Sequence, residues 1–172
     1  MPNMSPWALV PSILVATHAV AGEQVYLAPE VFLMQSLGAG AQPRVLWLGR
    51  QAQTELTAIL GHAPAQLRQR YWAAGNRTAW ILEEIGKEEP ITAGFVVAGD
   101  RIEQARVLVY RESRGMEIRY PAFLRQYAGA ELTADRRLDK EIDGIAGATL
   151  SVNAMVRMAR EALYLDRMSR AP

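Results

Sequence analysis

Two apolar runs, residues 91–98 and 101–110, are separated by the dipeptide Gly99-Asp100. A two-residue connection of this composition closes a β-hairpin, because both residues tolerate the positive φ that a tight reversal requires. Side chains alternate along a strand, so Ile91, Ala93, Phe95 and Val97 share one face of the first run. In the second run, Ile102, Leu108 and Tyr110 are expected on one side and Ala105, Val107 and Val109 on the other. Apolar residues on both faces predict a central hairpin covered by helices on each side. A second hairpin is expected where residues 71–73 and 78–82 flank Gly75-Asn76. The fold class that follows is α+β, an antiparallel sheet built from hairpins with helices packed against it.

The helices have their own signals. Pro29 opens a helix over residues 30–36, which Gly38 ends, and residues 51–60 form another, closed by Gly61, with Leu56, Ile59 and Leu60 inward. Between them, residues 44–48 read as a short strand bounded by Pro43 and Gly49. Pro121, then Phe123, Leu124 and Tyr127 at helical spacing, then Gly129, describe a short core helix. From Val152 onward, Met155, Val156, Ala159, Ala162 and Leu163 recur with helical period, predicting a C-terminal amphipathic helix. Residues 130–142 are a charged connector, and 167–172 are expected as a frayed tail.

Composition removes several functions. The chain has 172 residues, half of them apolar, enough for one compact domain with a sizeable core. A net charge of +1 gives no electrostatic case for nucleic acid. With no cysteine, disulfides, thiolate metal sites, iron–sulfur clusters and c-type haem attachment are excluded. Residues 1–21 have the pattern of a signal peptide: an apolar run from Trp7 to Val20 ends in Ala19-Val20-Ala21, and the run is shorter than the roughly 20 residues that span a bilayer. An exported domain is the expectation. Its removal would take His18 and leave His62, expected at a helix end, as the one histidine. No Gly-x-Ser-x-Gly, His-Glu-x-x-His, Walker A or Gly-x-Gly-x-x-Gly pattern occurs.

The stretch of residues 143–151, Asp-Gly-Ile-Ala-Gly-Ala-Thr-Leu-Ser, places small residues and the Thr149 hydroxyl where the C-terminal helix begins. Two readings stand. The first turn of a helix leaves backbone N–H groups unpartnered and carries partial positive charge, so it favours an anion such as a phosphate, and Gly144, Gly147 and Ala148 leave the backbone approachable. Glycine followed by threonine is equally a common helix-capping arrangement.

This segment resembles the flavinylation motif of FMN-binding domains, found in the flavin-carrying subunits of Na+-translocating NADH:quinone reductases and of Rnf-type electron-transport complexes. That motif runs Asp, two small or apolar residues, Ser or Thr, Gly-Ala-Thr, any residue, then Ser or Thr. Asp143, Gly144, Ile145, Gly147, Ala148, Thr149 and Ser151 fill those places, with Leu150 at the free position. Ala146 stands where a hydroxyl residue is usual. The resemblance spans about residues 91–165. Within it, Glu112, Gly115, Phe123 and Gln126 match the family's Glu-to-Gly segment and following helix in order, with Ser113-Arg114 in place of the usual Thr-Pro.

What the resemblance implies is an electron carrier or redox-complex subunit rather than a stand-alone enzyme. Thr149 would carry FMN through a phosphodiester bond, installed from FAD by a separate Mg2+-dependent flavin transferase. Asp143, Gly144, Gly147, Ala148, Leu150 and Ser151 would form the attachment segment, and Glu112 would line the flavin pocket. Electron donor and acceptor would be other proteins, membrane redox proteins among them, met in the periplasm or another extracytoplasmic space. A module holding FMN non-covalently and a flavin-free structural domain with the inherited fold are the two other expectations. The chain divides accordingly into the signal segment 1–21, an N-terminal part 22–90, the FMN-binding core 91–166 and the tail 167–172.

Overall fold

The computed structural model describes residues 23–171; the signal-segment expectation for residues 1–21 lies outside them. Ten elements follow in the order β1 (Gln24–Val25), α1 (Pro29–Leu37), β2 (Gln42–Trp47), α2 (Arg50–Leu60), β3 (Arg68–Ala74), β4 (Arg77–Ile85), β5 (Pro90–Ala98), β6 (Arg101–Tyr110), α3 (Pro121–Leu124) and α4 (Thr149–Arg170), with single 3-10 turns on either side of α3. The strands form one antiparallel sheet in the order β1-β6-β5-β4-β3-β2, so the fold is α+β. β6 and β5, the strands after residue 90, lie between β1 on one side and β4, β3 and β2 on the other, so the N-terminal part is built into the same sheet as the core.

The β5–β6 hairpin turns on Gly99 (φ 58°) and Asp100 (φ 64°), both left-handed as a two-residue reversal demands. It lies inside the sheet, flanked by β4 and β1, and both faces are covered. On one face α2 and α4 pack over Trp80, Leu82, Ile91, Ala93, Phe95 and Val97. On the other, α1 inserts Phe32 among Ala79, Val96, Leu108 and Val109. Gly94 allows this second contact, since a Cβ there would fall 2.5 Å from the Phe32 ring.

The expected faces of β6 need correction. Pairing skips a residue of β6 twice: Val96↔Gln104 is followed by Val97↔Ile102, and Thr92↔Val109 by Ala93↔Val107. Each skip is a β-bulge, which inserts one residue and reverses the alternation beyond it. As a result Ile102, Ala105, Val107 and Tyr110 all face the α4 side, and Leu108 and Val109 face α1. Strict period-two reading had put Leu108 with Tyr110 and Val109 with Val107. The second bulge is what points Tyr110 at the start of α4.

Two boundaries differ from expectation as well. Pro43 lies within β2 rather than before it, which is tolerable because β2 is an edge strand and a missing N–H can face away from β3. Residues 167–170, expected as part of a frayed tail, complete α4. Their helix is held by Arg170, which donates to the fully buried Asp166, and by Arg167, which donates to the Leu132 carbonyl. None of the described helices is long and apolar enough to cross a membrane.

Candidate functional site

α4 begins without a side-chain cap. Its N-cap is Ala148, and Thr149 is the first helical residue, exposed, with no hydrogen bond from its hydroxyl among the described residues. The capping reading of Thr149 is thereby set aside. The first helical backbone bond runs from Val152 N–H to Ala148 C=O at 2.9 Å, so the amides of Thr149, Leu150 and Ser151 precede the ladder and are free to meet a ligand.

The loop that delivers Thr149 is fixed at two points. The Asp143 amide donates to Gln126 Oε1 at 2.7 Å, tying the loop to the turn after α3. A reversal from Ile145 to Ala148 is then closed by the Ala148 N–H on the Ile145 carbonyl at 3.0 Å, and Gly147 takes φ 80° within it. That left-handed angle is the physical reason for glycine at 147. Ile145 packs against the core, while Ala146 is an exposed residue of this turn.

Beside Thr149 lies a cavity of about 610 Å3, lined by Lys87, Glu112, Ser113, Arg114 and residues 147–151. Small-molecule sites commonly enclose about 300–1,000 Å3. The structure thus brings Gly147, Ala148, Thr149, Leu150, Ser151 and Glu112 to one cavity. Asp143 and Gly144 are exposed and do not line it; they belong to the loop that leads to it. Lys87, Ser113 and Arg114 are site residues that the sequence reading did not assign. For Lys87 the available signal was Gly86, a glycine just after a strand.

Glu112 has a definite local task. Its Oε1 accepts the backbone N–H groups of Lys87, Glu88 at 2.7 Å and Glu89 at 3.0 Å, so a single carboxylate organises the β4–β5 loop. Burial alone would raise this carboxyl, but the amides of Glu88, Glu89 and Lys87 outweigh it and hold the group below the usual carboxylate range. Gly86 is required by the same contact, since a Cβ there would meet Glu112 Oε1 at 2.8 Å. With the negative charge of Glu112 held by these amides, the other polar groups lining the cavity are Arg114, Lys87, which also pairs with Glu88 at 3.1 Å, the hydroxyls of Ser113 and Thr149, and the first-turn amides of α4.

The wall opposite the helix is built on Tyr110. Its hydroxyl donates to the Arg114 carbonyl and shares a 3.1 Å hydrogen bond with Ser151 Oγ. Burial raises the Tyr110 phenol, against the lowering effect of Ser151, so it stays protonated as this geometry needs. Gly115, at φ 86°, lies under both partners: a Cβ would fall 2.9 Å from the Ala148 Cβ and 2.9 Å from the Tyr110 hydroxyl. Ser151 is buried in this contact and does not present its hydroxyl to solvent. Arg111 turns away from the site, to Glu23 at 3.2 Å, the Pro90 carbonyl and Thr92 Oγ1, and staples β1, β5 and β6 together.

An uncharged-wall cavity would not select a phosphate; a helix start with three free amides, a left-handed glycine and two cations does. The class this describes is a small α+β domain with a cavity suited to a phosphorylated ligand at the N-terminus of its last helix. Residues 86–164, a little under half of the chain, match the FMN-binding domain family. The match begins five residues before the segment that the motif resemblance covered, and so takes in the Gly86–Glu89 loop. No curated protein and no solved structure matches the chain. FMN fits the residues present: its phosphate suits the amides, Lys87 and Arg114, and the volume beside them accepts a ligand of that class.

Proposed function

We propose that the protein is an exported electron-transfer flavoprotein that carries FMN covalently on Thr149. The observation that carries this reading is the Thr149 side chain itself, exposed at a helix start, free of any internal hydrogen bond and set against the cavity. When bound, the flavin supplies transfer of one or two electrons. The protein's own contribution is attachment and placement. The amides of Thr149, Leu150 and Ser151 hold phosphodiester oxygens, Lys87 and Arg114 offset the remaining charge, and Tyr110 with Gly115 fixes the wall against which the helix start is set.

The attachment step needs a partner. A threonine hydroxyl is a weak nucleophile near neutral pH, and no base stands within hydrogen-bonding reach of Thr149 among the described residues. A flavin transferase supplies the activation: the Thr149 oxygen bonds to the phosphorus bearing riboflavin in FAD, the pyrophosphate bond breaks, AMP leaves, and the hydroxyl proton goes to a base of the transferase. No electrons are exchanged. Electron donor and acceptor are other proteins, with membrane redox proteins the expected class. The cysteine-free composition supports this, since an iron–sulfur cluster or a covalently attached c-type haem has no cysteine to hold it here.

The test is intact-mass measurement of protein co-produced with and without a flavin transferase, for wild type and Thr149→Ala. The wild type should gain one FMN less one water only with the transferase, keep flavin fluorescence through denaturing electrophoresis, and lose both in Thr149→Ala. Yellow colour in the native protein that is released on denaturation would replace covalent attachment by reversible FMN binding. The same spectrum also reports whether residues 1–21 have been removed.

A further inference from the structure

The face of the sheet opposite α4 is only partly covered. α1 seals β4, β5 and β6 through Phe32, but the ribbon of β2 and β3 projects beyond it at the sheet's edge. Directly opposed residues of an antiparallel pair share a face. The pairs Pro43↔Trp72, Val45↔Arg70 and Trp47↔Arg68 therefore stand together, on the side away from Leu46 and Tyr71, which pack into the α4-side core. Trp47 is 69% exposed and Val45 50%. A cleft of about 460 Å3 runs from Pro29 at the start of α1 past Val45, Arg68 and Arg70 to Trp72. Among the described residues Arg68 and Arg70 enter no ion pair.

This combination has a chemical meaning. Indoles and aliphatic side chains so exposed in water form a patch that a soluble domain normally hides. Arginine extends an apolar stem along such a surface while its guanidinium reaches anionic groups, and tryptophan settles where apolar and aqueous phases meet. Two uncompensated guanidinium groups complement an anionic surface. An acidic protein would satisfy the arginines but leave the flanking Trp47, Val45 and Trp72 without an apolar medium; a bilayer interface satisfies both. We infer that this strip seats the domain on an anionic phospholipid surface. Because it lies across the sheet from α4, the Thr149 cavity stays open to a redox partner, and the inference stands whether or not FMN is attached.

Flotation of the full chain with lipid vesicles tests it, using phosphatidylcholine alone and phosphatidylcholine mixed with phosphatidylglycerol in equal parts. The wild type should float with the mixed vesicles, lose that association as salt is raised, and remain below with phosphatidylcholine alone. The double variant Arg68→Glu/Arg70→Glu should lower the affinity roughly tenfold or more, since each basic group near an anionic membrane adds about a fivefold attraction and two are lost. Trp47→Ser should weaken binding with the charge intact. All side chains changed are at the surface, and an unaltered thermal midpoint would show that each variant is folded. Three outcomes overturn the inference: no flotation of the wild type, flotation unchanged by charge reversal, or equal binding to both vesicle types. A fourth, salt-sensitive binding to soluble polyglutamate without vesicle binding, would assign the strip to an acidic polypeptide instead.

Discussion

At the scale of single residues, Gly115 is where backbone freedom and site geometry meet. It adopts φ 86° and lies where a methyl group would strike Ala148 and the Tyr110 hydroxyl at once. Gly115→Ala should therefore cost roughly 2–4 kcal/mol, from a left-handed alanine and an overpacked contact together. The same substitution pushes the start of α4 away from Arg114, so FMN retention should fall along with the thermal midpoint. A variant that keeps wild-type stability and flavin content would refute this account. Tyr127 makes the opposite case. Its hydroxyl is buried with no partner among the described residues, and burial drives its phenol far above the ordinary range. An unpaired buried hydroxyl costs free energy while the ring, packed edge-on against Phe95 and Phe123, stabilises. Tyr127→Phe is expected to raise stability by about 1 kcal/mol in urea unfolding; a loss of that size would mean that the hydroxyl has a partner in solution.

At the scale of elements, the site depends on how three segments are aimed. β6 delivers Tyr110 to the α4 face because a bulge inserts one residue before it. The β4–β5 loop is drawn into the cavity wall by the Glu112 carboxylate, and α4 starts abruptly after a turn centred on Gly147. α1, on the other side, is held by one deep contact, Phe32 over Gly94. Gly94→Ala should displace that ring and lower stability by roughly 1–3 kcal/mol, without loss of FMN, because the contact lies across the sheet from Thr149. Chemical denaturation with flavin absorbance read in parallel would check both halves. Both hairpins and the helices at 29–37 and 50–60 were legible in the sequence, since each has its own turn residue or cap and a clear period. The faces of β6 were not, because a bulge is set by pairing with β5 and leaves no mark in the alternation of β6 alone.

At the scale of the whole molecule, α4 spans the sheet and collects buried polar groups along its length. Asp166, fully buried, accepts from Thr78 Oγ1 at 2.6 Å and from Arg170, and Thr78 in turn accepts the Trp80 indole N–H. One turn and a half earlier, Glu161 is buried near Glu84, which is itself held by His62 and Arg157. Burial first, and the Glu84 charge second, push the Glu161 carboxyl up to about 8, so it is protonated in the folded protein at neutral pH. A raised folded pKa means that folding takes up a proton. The associated stability is complete below the unfolded value of 4.5 and is lost as pH rises toward about 8. His62 acts in the same direction, its pKa raised mainly by the Ala63 carbonyl and then, against some desolvation, by Glu84. The thermal midpoint of the wild type should thus fall as pH is raised through this window, and Glu161→Gln, which mimics the neutral acid, should remove most of the fall. An equally steep decline in both proteins would exclude Glu161 as its source.

The sequence by itself determined the hairpins, the capped helices and the segment from Asp143 to Ser151, because these depend on local features: positive φ at glycine, helical period, and the order of small residues before a helix. Thr149 and Glu112 entered as site residues through the motif resemblance, local features alone leaving a helix cap and a solvated charge cluster as readings. Tertiary structure alone decided that Lys87 and Arg114 join them, that Ser151 turns inward to Tyr110, and that Asp143 and Gly144 stand outside the cavity. Those outcomes depend on which strands pair and in what register, and pairing free energy is a property of segments far apart in the chain, not of any one of them.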